Sequence, residues 1–346
     1  MLPPPVLLHL HPVTGTQGEP SMTGWESRDH GGDIDRAASD FGGAAWIDLS
    51  TGINRRPYPA PALSAHALQD LPTHGDGIGL IRAASTRYGA PEAEILPLAG
   101  ASAAIQLLPR LLPGKRASVL SPTYNEHAAS LAAAGWQVEA TSDPDSLAGD
   151  LAVVVNPNNP DGRCLSPTEI ARLAARVGHL VVDESFADAR PDLSVASMRP
   201  GNVTVLRSFG KFWGLAGLRL GFAIGAPDLL ARMAERAGPW PVSGPAIEIG
   251  TAALADAEWS AATVTWLAEA SLHLDQIVTG AGWPLVGGTH LFRLYETPDT
   301  QAAQNRLARA AIWSRIFPWH PRWIRLGIPA DRAEFDRLAA ALKEPG

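Results

Sequence analysis

The chain has 346 residues, 46% hydrophobic and 18% charged, with a formal net charge of −7. That is ample for a large buried core in two lobes. The acidic balance and scattered arginines argue against nucleic-acid binding, and no run of about 18 apolar residues is available to span a membrane.

Residues 1–28 are rich in Pro, Gly and Thr without periodicity and read as a loose arm. They lack the basic stretch and cleavage site of a secretory signal. The single cysteine, Cys164, cannot form an internal disulfide and sits in a turn or strand start rather than a nucleophile's setting. A cytoplasmic location is therefore expected. From residue 62 the pattern becomes regular. Helical spacing runs over 62–88, broken near Pro72 and Gly75, and again over 102–112 and 126–134. Short apolar strands are expected at 117–120, 136–140, 151–155, 179–182, 203–207 and 221–224, and further helices at 167–177, 229–237, 245–255 and 259–280. The last third adds strand-like pieces at 289–294 and 323–327 and helices at 300–311 and 330–342. Strands alternating with helices predict an α/β core with a mostly parallel sheet. The expected division is an arm plus part of a small domain over 1–55, a large domain over 56–254 and a small α+β domain over 255–346.

The chemistry concentrates around Ser208-Phe209-Gly210-Lys211. Only three lysines exist, Lys115, Lys211 and Lys343. Lys115 follows Pro-Gly in a turn and Lys343 is near the C-terminus, whereas Lys211 follows an apolar strand among Ser, Gly, Phe and Trp. A lysine in such surroundings has a lowered pKa and can form a Schiff base with an aldehyde; a lysine that merely snorkels from a loop is the competing reading. Three elements favour the first. Asn159 lies in a polar Asn-Pro turn beyond the strand 151–155, where α/β ligands bind, although an ordinary turn would look the same. Asp183 ends a buried strand, where a carboxylate needs a partner; the pyridinium nitrogen of pyridoxal 5′-phosphate (PLP) is one. Arg219 and Ser208 suit a phosphate, and Gly100-Ala101-Ser102 opens a helix whose backbone N–H groups form an anion site.

Asn159, Asp183, Ser208, Lys211 and Arg219, at intervals of 24, 25, 3 and 8, resemble the signature of fold-type I PLP enzymes, and more narrowly of class I/II aminotransferases and their histidinol-phosphate aminotransferase branch. The resemblance runs from about residue 30 to about residue 341. Further segments, His30-Gly31-Gly32-Asp33-Ile34, Asp48-Leu49-Ser50-Thr51-Gly52-Ile53-Asn54, Asp183-Glu184-Ser185-Phe186 and Gly238-Pro239-Trp240-Pro241-Val242-Ser243, are similar to the L-threonine-O-3-phosphate decarboxylases of cobalamin biosynthesis. These make (R)-1-amino-2-propanol O-2-phosphate.

The resemblance implies a large domain with a seven-stranded-type sheet, a PLP cofactor on Lys211, a small phosphorylated amino-acid substrate and a homodimer. Asp183 would pair with the ring nitrogen, Asn159 with the ring hydroxyl, and Tyr124 would stack on the ring. Ser208, Arg219 and the backbone at Gly100, Ala101 and Ser102 would hold the cofactor phosphate. Arg325 would take the substrate carboxylate and Arg315 a second anion. His30, Gly31, Gly32 and Asn54 would be lid and substrate contacts; for Arg315, His30 and Asn54 a purely structural role stands equally open. There are departures from the family pattern. Phe186 stands where many aminotransferases have Tyr, Gly210 where relatives have Ser or Thr, and Leu71-Pro72-Thr73-His74 where relatives have Arg-Tyr-Pro-Asp. Decarboxylation of threonine phosphate is the leading expectation. Transamination of histidinol phosphate or a similar phosphorylated amine is the second, and an idle PLP-fold scaffold subunit the third.

Overall fold

The computed structural model describes residues 30–43, 45–198 and 201–343; the expected arm at 1–28 lies outside them. The strands are β1 (Ile47–Asp48), β2 (Ile95–Leu98), β3 (Arg116–Leu120), β4 (Gln137–Thr141), β5 (Leu151–Val155), β6 (His179–Asp183), β7 (Val203–Ser208), β8 (Gly221–Ile224), β9 (Leu285–Thr289), β10 (Phe292–Glu296), β11 (Ile312–Trp313), β12 (Arg315–Phe317) and β13 (His320–Gly327). The helices are α1 (Ile34–Phe41), α2 (Ala65–Gln69), α3 (His74–Tyr88), α4 (Ala101–Leu111), α5 (Asn125–Ala133), α6 (Pro167–Ala174), α7 (Pro227–Ala237), α8 (Gly244–Ala255), α9 (Ala257–Gly280), α10 (Thr300–Arg309) and α11 (Arg332–Lys343).

Seven strands form one sheet in the order β2-β8-β7-β6-β5-β3-β4. Strands β3 to β7 run parallel, while β8 is antiparallel to both its neighbours. Every residue of β5 is buried, as expected of a strand covered by helices on both faces. Alternation divides its side chains between two cores: Val153 belongs to the one that holds Leu131, Leu206 and Met233, and Val154 to the one that holds Leu80, Phe222 and Leu274. Helices start where the sequence supplies the caps. Thr73 with Asp76, and Ser166 with Glu169, each form a reciprocal capping box at the head of α3 and α6.

A second sheet, β12-β13-β10-β9, is antiparallel, and β1 pairs with β11. The segment around Ser50 is thereby joined to the C-terminal third of the chain. Two sequence expectations need correction. The single strand expected at 289–294 is a hairpin, reversing at His290 and Leu291 between β9 and β10. No strand is expected from the sequence at β2; it is an edge strand, where the missing N–H of Pro97 is tolerated.

Candidate active site

The site lies beyond the carboxyl ends of the parallel strands, where loops from β3, β5, β6 and β7 converge with the start of α4. Gly100 precedes α4 with φ of +81° and gives it no side-chain cap, so the helix presents its N–H groups to the space in front. Arg219 adopts the left-handed region with φ of +53°, a conformation that non-glycine residues hold only when the surroundings fix it. There its guanidinium reaches back to Ser102 Oγ at 3.1 Å. The glycines at this corner have no room for a side chain. A Cβ on Gly100 would lie 2.9 Å from Arg219 Nη2, and one on Gly221 would lie 2.3 Å from the Ala101 nitrogen.

Asp183 is buried at the end of β6. Burial alone would raise its pKa, but His127 Nε2 at 2.9 Å from Oδ2 and the hydroxyl and N–H of Ser185 on Oδ1 hold it below the ordinary value. Lys211 extends from the turn after β7, its Nζ 5.6 Å from the centre of the Phe186 ring. Burial, with help from the Arg325 charge, lowers its pKa to about 8, against a smaller opposing pull from Asp183. Such an amine is neutral in part at physiological pH and competent as a nucleophile.

An inner cavity of about 140 Å³ is lined by all nine residues expected at the cofactor: Gly100, Ala101, Ser102, Tyr124, Asn159, Asp183, Ser208, Lys211 and Arg219. Through Tyr124, Asn159, Phe186 and Lys211 it adjoins an outer cleft of about 420 Å³, which His30, Gly31, Arg315 and Arg325 also line. The inner donor set is a helix N-terminus, a guanidinium and two hydroxyls at one end and a buried carboxylate with an amine at the other. It fits a phosphorylated, basic, aldehyde-bearing ring such as PLP.

In the outer cleft Arg325 is buried. It donates to the Ser50 carbonyl at 2.6 Å and to the Asn159 side-chain oxygen, and its Nε has no partner. Burial, together with the nearby Arg315 charge, lowers its pKa to about 9. Gly32 and Asn54 line neither space. Gly32 donates its N–H to Ser50 Oγ at 2.7 Å. Asn54 donates its side-chain amide to the Phe212 carbonyl and its N–H to the Lys211 carbonyl, both at 2.9 Å. It clamps the lysine turn rather than facing the cleft.

Several residues that build the site were not singled out in the sequence. His127 looks like any core histidine of a helix. Asn158 locks the Asn159 loop to the Tyr124 segment through the Pro122 carbonyl and Thr123 Oγ1. Asp48 accepts from Ser50, and Glu126 pairs with His30 at 2.9 Å. For His127, Asn158 and Glu126 the spacing carries no local motif, since the partners Asp183, Pro122, Thr123 and His30 are remote in sequence.

The fold and the site define an α/β enzyme of the fold-type I class. The family model for aminotransferase class I and II matches residues 73–342. The chain belongs to that family and, within it, to the threonine-phosphate decarboxylases. It is 44% identical to the threonine-phosphate decarboxylase of Sinorhizobium sp over 325 residues, covering 90% of this chain and 97% of the other. It is 46% identical to that of Pseudomonas aeruginosa over 334 residues, covering 92% and 98%. Among solved structures, the fold matches histidinol-phosphate aminotransferase from Sinorhizobium meliloti in complex with pyridoxal-5′-phosphate. The TM-score is 0.77 at 19% identity, covering 89% of this chain and 92% of that one.

Proposed function

We propose that the protein is a PLP-dependent lyase that decarboxylates L-threonine O-3-phosphate to (R)-1-amino-2-propanol O-2-phosphate, a step of cobalamin biosynthesis. The observation that carries this reading is the pair Arg315 and Arg325, both lining one cleft beside Lys211. Two guanidiniums suit a small substrate with two anionic groups, a carboxylate and a phosphate, and both relatives named above are threonine-phosphate decarboxylases.

When bound, PLP supplies an electron sink for a bond broken at the substrate's α-carbon. The protein's part is binding, orientation and proton movement. Gly100, Ala101, Ser102, Ser208 and Arg219, which line one cavity, would hold the cofactor phosphate. Asp183, kept ionised by His127 and Ser185, would pair with the ring nitrogen, while Asn159 would meet the ring hydroxyl and Tyr124 would cover one face. Lys211 would hold the cofactor by its aldehyde group, and its Nζ would carry the proton at the substrate's α-carbon. Arg325 and Arg315 fix the two anions, and Phe186 keeps the space beside Lys211 apolar. His30 and Gly31 wall the mouth of the cleft.

The wider reading is a cytoplasmic homodimer divided near residues 55 and 254. No helix among the described residues is long and apolar enough to cross a membrane. Transamination of histidinol phosphate or a similar amine is the second reading, since the same cofactor apparatus serves both reactions.

The test is incubation of the PLP-loaded protein with L-threonine O-3-phosphate, followed by proton NMR. Aminopropanol phosphate formed without any keto-acid acceptor is the expected result. Unchanged substrate overturns the assignment, and turnover of histidinol phosphate only with 2-oxoglutarate establishes the alternative.

A further inference from the structure

The four-stranded sheet contains a row of residues that runs across it from edge to cleft. Gly287 in β9 pairs with Leu294 in β10, Leu294 with Arg325 in β13, and Arg325 with Arg315 in β12. Residues paired across a ladder present their side chains to the same face. The face that carries the two arginines is therefore also the face on which a side chain at Gly287 would project.

That projection is blocked by the large sheet's own loop. A Cβ on Gly287 would lie 2.1 Å from the Asp161 carbonyl oxygen, and one on Gly162 would lie 2.0 Å from the Gly288 carbonyl oxygen. Here the backbone of the β9–β10 hairpin rests directly on the backbone of the loop that carries Asn159. The loop has little freedom to yield. Asn156 exchanges two hydrogen bonds with Leu165, and Asn158 binds Pro122, Thr123 and Asp161. Two strands along the row from Gly287, Arg325 donates to Asn159 of that same loop.

We propose that Gly287 is a positioning residue for the substrate arginine: its backbone contact with Asp161 sets how far Arg325 reaches across the cleft toward Asn159. Two strand spacings, roughly 10 Å, separate the contact from Arg325. A lever that short, within one hydrogen-bonded sheet, passes a shift of the edge on to the arginine with little loss. Gly287 has no left-handed φ, so the glycine is required by the close approach and not by its backbone conformation. The inference rests on the assignment of Arg325 to a substrate anion.

The experiment is Gly287→Ala, with Val286→Ala, an exposed neighbour in the same strand, as control. The methyl group forces the small sheet off the loop. The expected result is an unchanged visible absorption of the PLP-loaded protein. KM for L-threonine O-3-phosphate rises about a hundredfold while kcat changes less, because a misplacement of about 1 Å costs that much. Calorimetric titration of the protein with the same compound weakens in parallel. KM and affinity equal to those of Val286→Ala overturn the proposal. An altered cofactor spectrum also overturns it, because the loop and not the sheet has then moved. Should Gly287→Ala fail to fold, hydrogen exchange on the unmodified protein decides. Amides of Asn158–Cys164 and of β9 then gain protection together when threonine phosphate is added; independent protection overturns the docking. If Arg325→Lys leaves KM unchanged, the assignment of Arg325 fails, whereas the exchange result still reports on the contact itself.

Discussion

Arg315 and Arg325 stand directly opposite one another on neighbouring antiparallel strands, and both line the outer cleft. Like charges in that relation repel, and the proximity of Arg315 contributes to the depressed pKa of Arg325. The arrangement costs stability in the free protein and is relieved when anions bind. Arg315→Gln is accordingly expected to raise the unfolding free energy by about 0.2–1 kcal/mol in denaturant titrations without substrate, while raising KM for threonine phosphate. Arg325→Lys keeps the charge but loses the planar fork, and its KM is expected to rise about a hundredfold. Equal KM values for both variants and the unmodified enzyme would refute the two-anion site.

The second prediction concerns Asp183 and its hydrogen-bond donors. The carboxylate is held below its ordinary range by His127 and Ser185 against the upward push of burial. A depressed acid supports activity above its pKa and loses it as pH falls through that value. His127→Asn removes the favourable contact, so the acid limb of the kcat/KM profile is expected to move to higher pH, with kcat lowered about tenfold. Asp183→Asn removes the carboxylate itself and is expected to lose about 10²–10³ in kcat. A pH profile that does not shift in His127→Asn would show that the histidine only fills space.

Much of this site could be read before the structure because its residues follow strands. Lys211 was conspicuous as the only one of three lysines after an apolar run, and Asp183 as a charge ending the run Leu180–Val182. The central strands were legible for the same reason, since a short apolar run such as Leu151–Val155 admits few alternatives. The hairpin at His290 and Leu291 was not, because its two-residue turn contains neither Gly nor Asn, the usual signals. His127 and Gly287 were illegible in a different sense. The importance of each comes from a partner distant in the chain, Asp183 for one and Asp161 for the other, and no local pattern encodes such a meeting.

The third prediction follows from the lowered pKa of Lys211, about 8. Capture of an aldehyde requires the neutral amine, whose fraction grows as pH rises through that value. In cofactor-free protein, the rate at which the visible band develops on adding PLP is expected to increase with pH and level off above about 8. Lys211→Ala is expected to show no such band and to lose activity by about 10⁴-fold. A rate that keeps climbing to the pKa of an ordinary lysine would mean that the amine is solvated when the cofactor arrives.

The last prediction concerns the face of β6 and β7 that turns away from the cleft. Glu184 follows Asp183 and Arg207 precedes Ser208, and the two are paired at 3.0 Å while fully buried. Ser194 and the Val195 N–H complete the coordination of Glu184, and the Arg207 guanidinium lies over the Tyr88 ring at 4.6 Å. The pair thus ties together the two strand ends that carry Asp183 and Ser208 on the opposite face. Asp188 forms a longer ion pair with Arg207, at 3.7 Å, and both its carboxyl oxygens are buried without a hydrogen-bond donor. Arg207→Met leaves two buried acids without their cation and is expected to destabilise the protein by about 3–5 kcal/mol in denaturant unfolding. Burial raises the pKa of Asp188, which Arg207 and Arg87 only partly oppose. An acid raised in the folded state contributes stability that is complete below its unfolded pKa and is lost as pH rises through the folded value. Unfolding free energy is therefore expected to decline as pH increases above the ordinary carboxylate range, and Asp188→Asn, which cannot ionise, is expected to flatten that decline. A slope equal to that of the unmodified protein would mean that the cluster already holds Asp188 as an anion.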